Sequence, residues 1–317
     1  MTSEAVTSVP GRRRVVFGTG LTTALEGTAE RLRHADEAEQ GGLDLVTVSD
    51  HPYLADRVDA YAALGVLLGR TSRLSVLASV TNLPSRSAPM LARTVTSLSE
   101  LSGGRFVLGI GAGGLWDEIA KFGVRKLTPA EAVRAFEEGI LLIRALSGGG
   151  EPVDFDGEFY QVKGLAPAAT PTPPIWTGSN GPKSLAVTGR LADGWIPGIG
   201  LAPGHAADWR GPRVAWSRPI IDEAAEAVGR KPSDIATIYN VTGRITEKPL
   251  TVTRAESGLW LGGSVGQWVE ELVTAVNDFG AAGFVHHRID DPTSADLTVG
   301  RWIHEVVPKV REAIGQR

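Results

Sequence analysis

The chain contains no cysteine. Disulfides, thiolate catalysis and cysteine-ligated zinc are therefore excluded. Aromatic residues are sparse, at 6% of 317 positions, and there are only 2 methionines. No apolar run reaches the ~18 residues that a membrane-spanning helix needs, so no membrane partner is expected. An excess of one charge is lacking too. The 32 Lys and Arg stand against 36 Asp and Glu, a formal charge of −4. That balance gives no support to nucleic-acid binding. The motifs G-x-S-x-G, G-x-x-x-x-G-K-[ST] and H-E-x-x-H are absent, which argues against a serine hydrolase, a P-loop NTPase and a zinc protease. The adjacent pair His286-His287 has no metal spacing, and no metal is expected.

What is present is ordinary for a globular domain: 42% hydrophobic and 21% charged residues. The length suits two average domains or one large barrel. Residues 1–13 begin Ser/Thr-rich and end in Arg12-Arg13 with no apolar segment between. They read as a disordered leader, not a signal peptide, and residues 14–317 as one domain with a cytoplasmic location.

Strand and helix patterns alternate along that domain. Strand-like runs are Arg14–Phe17, Leu43–Val48, Leu74–Ala78, Arg105–Leu108, Pro174–Thr177, Gly194–Pro197, Ile235–Ile245 and Phe284–Ile289. Helix-like segments follow at 28–40, 57–69, 89–101, 128–146, 183–191, 213–228, 266–279 and 295–314. Thr128-Pro129-Ala130-Glu131 combines a cap residue, proline at N1 and Glu at N3, a strong start signal. Val153–Val162 reads as a hairpin turning at Asp156-Gly157. Eight β/α units predict an α/β fold, a (β/α)8 TIM barrel with insertion loops at 147–174 and 247–263.

Strand ends on one rim of such a barrel carry the chemistry. Asp50-His51 follows the second strand. Asp50 could cap the next segment and His51 be a solvated loop residue, or His51 could exchange a proton near neutral pH. Ser79-Val80-Thr81-Asn82 ends the third strand. Gly109, Gly111 and Gly114 match G-x-G-x-x-G after the fourth. A dinucleotide fold would place that string after its first strand. The remaining readings are a plain tight turn, or a loop whose N–H groups meet a phosphate or a flat ring. Gly178-Ser179-Asn180-Gly181 opens the helix after the fifth strand, as an ordinary turn or an anion site. Trp195 reads as core or as a ligand platform. His287 and Arg288, ending the eighth strand, are candidates for holding a substrate anion. Side chains alternate along a strand, so only one of His286 and His287 can face the rim.

In order along the chain, Gly42-Leu43-Asp44 leading to Val48-Ser49-Asp50-His51, then Arg70–Leu74, Ala78-Ser79-Val80, Gly103-Gly104-Arg105-Phe106 with Gly109–Gly113, Asp154–Tyr160 and Ala192–Trp195 resemble the bacterial luciferase-like family of flavin- or deazaflavin-dependent oxidoreductases. No single piece is specific, but the ordered set is. The resemblance covers roughly 14–200 in detail. It implies a barrel with a cofactor ring across its rim, backed by a non-prolyl cis peptide at Ser79-Val80. Asp50, Ser79, Val80, Asn82, Ala112, Gly113 and Gly114 would hold the ring, and Gly178, Ser179, Asn180 and Gly181 the phosphate. His51 would be catalytic. Tyr53, Trp195, His287 and Arg288 are candidate substrate contacts.

The Ser-Asp-His string is more similar to the branch using coenzyme F420, with FMN and a monooxygenase as the alternative. Sugar-phosphate dehydrogenases of the F420 branch carry a Glu where this chain has Gly114, and a Trp near Tyr53-Leu54-Ala55. Both departures point to a different, bulkier or more apolar organic substrate. They also leave open a degenerate barrel that binds without catalysis. Similar proteins are often dimers, so a homodimer is a further expectation.

Overall fold

The structure is a computed structural model that describes residues 14–198, 208–256, 258–287 and 295–316. Eight strands form its centre: β1 Val16–Gly20, β2 Leu45–Val48, β3 Ser75–Ala78, β4 Phe106–Gly111, β5 Ile175–Thr177, β6 Gly194–Trp195, β7 Ala236–Val241 and β8 Gly283–His286. Each pairs in parallel with the next, and β8 pairs with β1, which closes the barrel. Short, β-branched runs such as Leu-Val-Thr-Val in β2, buried at every position, suit strands covered on both faces.

Alternation along the strands divides the core into two parts. Leu45, Leu77, Ile196, Ala236, Ile238 and Val285 pack inside the barrel, with Val80 and Trp176 against them. The opposite faces, including Phe17, Phe106, Trp195 and Phe284, join the helix layer in a larger cluster. The interior is thus a plug of side chains, not a pore. Each fully buried aliphatic residue contributes about 1.5–3 kcal/mol relative to exposure.

The helices are α1 Thr28–Gln40, α2 Ala60–Arg70, α3 Ala88–Ser102, α4 Pro129–Ala145, α5 Pro182–Leu191, α6 Pro212–Glu226, α7 Val265–Phe279 and α8, which starts at Ala295–Arg301. At α4, Thr128 Oγ1 accepts from Glu131 N, and Glu131 Oε2 accepts from Thr128 N at 2.8 Å, the capping box read from sequence. These hydrogen bonds to Thr128 hold the Glu131 carboxyl down to about 2. Among the described residues no helix is long and apolar enough to cross a membrane.

Several boundaries differ from the sequence reading. The seventh strand stops at Val241, and Arg244–Thr246 pairs separately with Gly262–Ser264. The break is at Gly243, whose φ of +145° no ordinary strand residue adopts. The hairpin pairs Val153–Asp156 with Gln161–Leu165, around a longer loop than Asp156-Gly157. Glu138 on α4 decides this, because its carboxylate accepts from the backbone N–H of Glu158 at 2.8 Å, Phe159 at 2.9 Å and Tyr160 at 3.3 Å. A short helix at Trp116–Ile119, between β4 and α4, has no counterpart in the sequence reading. The last helix passes through a π-turn, Trp302–Val306, before Val307–Ala313, where Pro308 removes one amide donor. Ile289 at the end of the eighth strand, and the leader at 1–13, lie outside the described residues.

Candidate functional site

Because β2 to β5 are neighbours and parallel, the segments following them share one rim. The segments are tied together there by side chains. Asp50, 2% exposed, directs its carboxylate at the turn after β3. Its Oδ2 accepts from Asn82 N at 3.0 Å and Arg86 Nε at 3.0 Å, and its Oδ1 accepts from Arg86 Nη2 at 2.8 Å. Arg86 also donates to Asp59 at 2.7 Å and lies 4.4 Å over the Tyr61 ring. The Tyr61 hydroxyl meets Thr81 Oγ1 at 2.8 Å. Burial opposes the Arg86 charge, but hydrogen bonds and charge from Asp50 and Asp59 outweigh it and raise its pKa. Asp50 is therefore occupied in fixing Asn82 and Arg86, where the sequence reading gave it an edge of the ring. Arg86, Tyr61 and Thr81 were not singled out in the sequence. Only the Arg at a helix start, downstream of the Asp-His string, could have drawn attention.

Val80 is the centre of the mouth. The Ser79-Val80 peptide is cis. A Cβ on Gly111 would lie 2.8 Å from Val80 Cγ2, and one on Gly178 would lie 2.9 Å from the same atom. The glycines of two different turns thus close around one side chain. Ala112 and Gly113 are partly exposed beside it, and a Cβ on Gly114 would meet nothing within 4 Å. The position where sugar-phosphate dehydrogenases carry a Glu is open space here.

At the turn after β5, the carbonyl of Ser179 accepts from Trp195 Nε1 at 3.0 Å, and the carbonyl of Asn180 accepts from Arg213 Nη2 at 3.1 Å. The Gly181 N–H is met by Ser184 Oγ at 3.2 Å. Trp195 is 1% exposed and belongs to the helix-side core, while its neighbour Ile196 belongs to the interior. Trp195 is thus a core residue that steadies the turn, which corrects its assignment as a substrate contact.

His51 is exposed on the rim, and its Nδ1 lies 2.5 Å from the Tyr53 hydroxyl. Burial raises the Tyr53 pKa, with Asp50 and Glu118 adding to it, so the phenol keeps its proton and donates to Nδ1. The imidazole proton then resides on Nε2. Desolvation lowers the His51 pKa against the pull of Asp50, and Arg57 adds to the lowering. His51 is neutral at pH 7. Tyr53, expected to touch substrate, hydrogen-bonds His51 and so favours that tautomer.

Across the rim, His287 Nε2 donates to Asn240 Oδ1 at 2.8 Å. The ring fills space beside Gly20, where a Cβ would lie 2.3 Å from Nδ1. Burial pushes His287 down to about 4. Burial thus disfavours the charged form through which the sequence reading had it hold a substrate anion. His286 points the other way, stacked on Trp302 at 5.1 Å. Arg288 lies outside the described residues.

Three buried polar atoms at this mouth have no hydrogen-bond partner: Thr47 Oγ1 in β2, Asn82 Oδ1 after β3 and Ser179 Oγ after β5. Unmet buried polar atoms are costly and mark places that a ligand or water completes. Their spread along the rim from β2 to β5, on the side that carries the glycines packed on Val80, fits a flat ring with a polar edge and a tail carrying a phosphate.

Comparisons with known proteins agree with this geometry. The family model described as luciferase-like monooxygenase matches residues 14–297. The 5,10-methylenetetrahydromethanopterin reductase of Methanolobus tindarius is 32% identical over 203 residues, which is 64% of this chain and 57% of that protein. The F420-dependent glucose-6-phosphate dehydrogenase of Nakamurella multipartita is 30% identical over 233 residues, 71% of this chain and 66% of that one. The matches thus span slightly less than two thirds of these relatives' length. Among solved structures, an F420-dependent secondary alcohol dehydrogenase with an F420-acetone adduct superposes with a TM-score of 0.76 at 18% identity, over 94% of this chain and 99% of that one. A riboflavin lyase with modified FMN and riboflavin gives 0.78 at 16% identity, over 96% and 93%. At such identities the likeness is one of fold.

Proposed function

The chain belongs to the luciferase-like monooxygenase family, and from that membership we propose that it is an F420-dependent oxidoreductase moving a hydride between the deazaflavin and a small organic substrate. The observation that carries the reading is the mouth itself, where partnerless polar atoms on β2, after β3 and after β5 share one rim with the glycines packed on Val80. F420 is preferred over FMN because the Ser49-Asp50-His51 string resembles the F420 branch, and because the Nakamurella relative is named as F420-dependent.

When bound, the deazaflavin supplies a ring carbon that gives or takes a hydride. The chain's own residues position and protonate. Val80, Gly111 and Gly178 would form the surface beneath the ring. Asn82 Oδ1 would accept from an N–H on the ring's edge, held in place by the Asp50 grip on its backbone. Ser179 Oγ would donate to the phosphate at the start of α5, whose dipole favours an anion. His51 would hold the proton at Nε2 for the oxygen of the reacting carbon, with Tyr53 keeping that tautomer.

The test is a titration of the protein with F420 and, separately, with FMN, followed by cofactor fluorescence. Saturable F420 binding with weak FMN binding is expected, and tight FMN binding without F420 binding would reverse the cofactor choice. His51→Ala should keep F420 affinity while turnover falls by about 10²–10⁴-fold. Unchanged turnover in that variant would remove His51 from the chemistry. Bound F420 with no turnover on any carbonyl or alcohol substrate would favour the binding-only barrel.

A further inference from the structure

Beside the mouth lies a second cavity of about 330 Å³. It shares Ala112 and Arg86 with the mouth and is otherwise built from the segment leading into α3, the segment at 116–127, the first turns of α4 and the hairpin loop. Leu83, Pro84, Trp116, Phe136, Phe159 and Tyr160 supply its apolar wall. Its volume falls within the roughly 300–1,000 Å³ of small-molecule sites.

The cavity is kept open by specific packing. Gly139 on α4 lacks a Cβ that would lie 2.7 Å from Leu83 Cδ2 and 3.6 Å from Tyr160 Cε2. Phe159 and Tyr160 are held at the wall by the Glu138 carboxylate on their backbone amides. Between cavity and mouth stands the Ala112-Gly113 turn. Gly113 sits at φ +89° with its Cβ position 2.8 Å from Pro84 and 3.3 Å from Trp116. Ala112 borders the cavity, and Arg86 borders it while gripping Asp50.

Charge decides what the cavity can take. Three charged side chains line it, and each is already paired within the protein. Arg86 is bound by Asp50 and Asp59. Arg125 is bound to Glu131 at 3.0 Å. Both carboxylate oxygens of Glu158 accept from Arg134 at 2.7 Å. The Tyr160 hydroxyl is pushed up to about 12 by burial and by Glu138, and remains neutral. Each lining charge is thus met by an opposite charge of the protein itself, which favours a neutral occupant.

We propose that this cavity binds a neutral, ring-sized apolar group and, resting on the redox reading above, that the group is the non-reacting end of the substrate. The open position above Gly114, next to the shared turn, gives such a substrate room between its two ends.

The probe is N-phenyl-1-naphthylamine, which is uncharged and brightens in apolar surroundings. Titration of the intact protein should give saturable emission. Ala135→Trp and the milder Ala132→Leu place bulk in the cavity from α4, and should each weaken probe binding by about tenfold or more. F420 affinity and the far-ultraviolet dichroism of both variants should match the parent protein. Equal probe affinity in the parent and both variants, or no saturable binding to the parent, overturns the proposal. If F420 binds none of the three proteins, the redox reading fails while the probe result still decides the cavity.

Discussion

The rim over β2–β4 and the rim over β6–β8 are held together in different ways. On the first, a carboxylate grips backbone: Asp50 binds the amide of Asn82 as well as the fork of Arg86. On the second, side chains from distant loops grip one another. Arg254 Nη1 donates to Asp208 at 2.8 Å and its Nη2 to Glu271 at 2.5 Å, while Trp209 Nε1 and Arg210 Nε reach the same Glu271 at 2.8 and 2.9 Å. Burial disfavours charge on both Arg254 and Glu271, yet Asp208 and then Glu271 raise the Arg254 pKa, and Arg210, Trp209 and then Arg254 lower that of Glu271. The first arrangement fixes where backbone and small turns stand, as a ring site needs. The second fixes a wall of side chains among Asp208, Trp209, Arg210, Arg254 and Glu271.

Arg86→Ala is the hardest blow to that contrast. It leaves the carboxylate of Asp50 buried without its cation, and the expected loss is about 3–5 kcal/mol in denaturant unfolding. F420 affinity should fall with it, because Asp50, which anchors Asn82, loses the fork that holds its carboxylate in place. If stability falls and F420 affinity does not, the two rims are equivalent as far as the cofactor is concerned. Arg254→Met on the other rim should cost about 2 kcal/mol and leave F420 affinity unchanged, since Arg210 and Trp209 still satisfy Glu271. Gly178→Ala should cost about 1 kcal/mol by pressing a methyl against Val80, yet weaken F420 by about tenfold, reversing the order of effects seen for Arg254. The same change in a crystal structure should displace Val80.

The effect of pH is the most gradual. Burial pushes His286 down to about 4, below its ordinary 6.5. Between pH 6.5 and 4 the unfolded chain therefore binds more protons, and stability falls as the pH falls through that window. The slope from this residue is at most about 1.4 kcal/mol per pH unit. His286→Phe, which keeps a ring against Trp302, should flatten that slope and leave stability at pH 8 within about 1 kcal/mol. Melting temperatures at pH 4.5, 6 and 8 would measure it.

Legibility in the sequence followed the same division. Asp50-His51, Ser79-Val80, Gly109–Gly114 and Gly178–Gly181 are contiguous strings at strand ends, and the parallel closed sheet brings them onto one mouth. The capping box at Thr128 and the alternation of His286 and His287 were equally local. What escaped was long-range. The role of Asp50 depends on Arg86, 36 residues away, and the hairpin loop depends on Glu138, 20 residues from Glu158. Trp195 and Tyr53 were read as candidate substrate contacts, while their hydrogen bonds to Ser179 and His51 depend on partners that the strings alone do not show. The Trp116–Ile119 helix lacks a capping signal, since its N-cap is Leu115 and no side chain caps it.

The grip of Asp50 on Asn82 and Arg86 has a thermodynamic consequence. The edge on which a ring would land is fixed by five charge-assisted or hydroxyl contacts among Asp50, Asp59, Asn82, Arg86, Tyr61 and Thr81. A ligand meeting preorganised atoms loses only its own translational and rotational freedom, with little added loop-ordering entropy. Association at this mouth should therefore resemble a key entering a finished lock, with calorimetric entropy set by water release and ligand immobilisation, not by the protein.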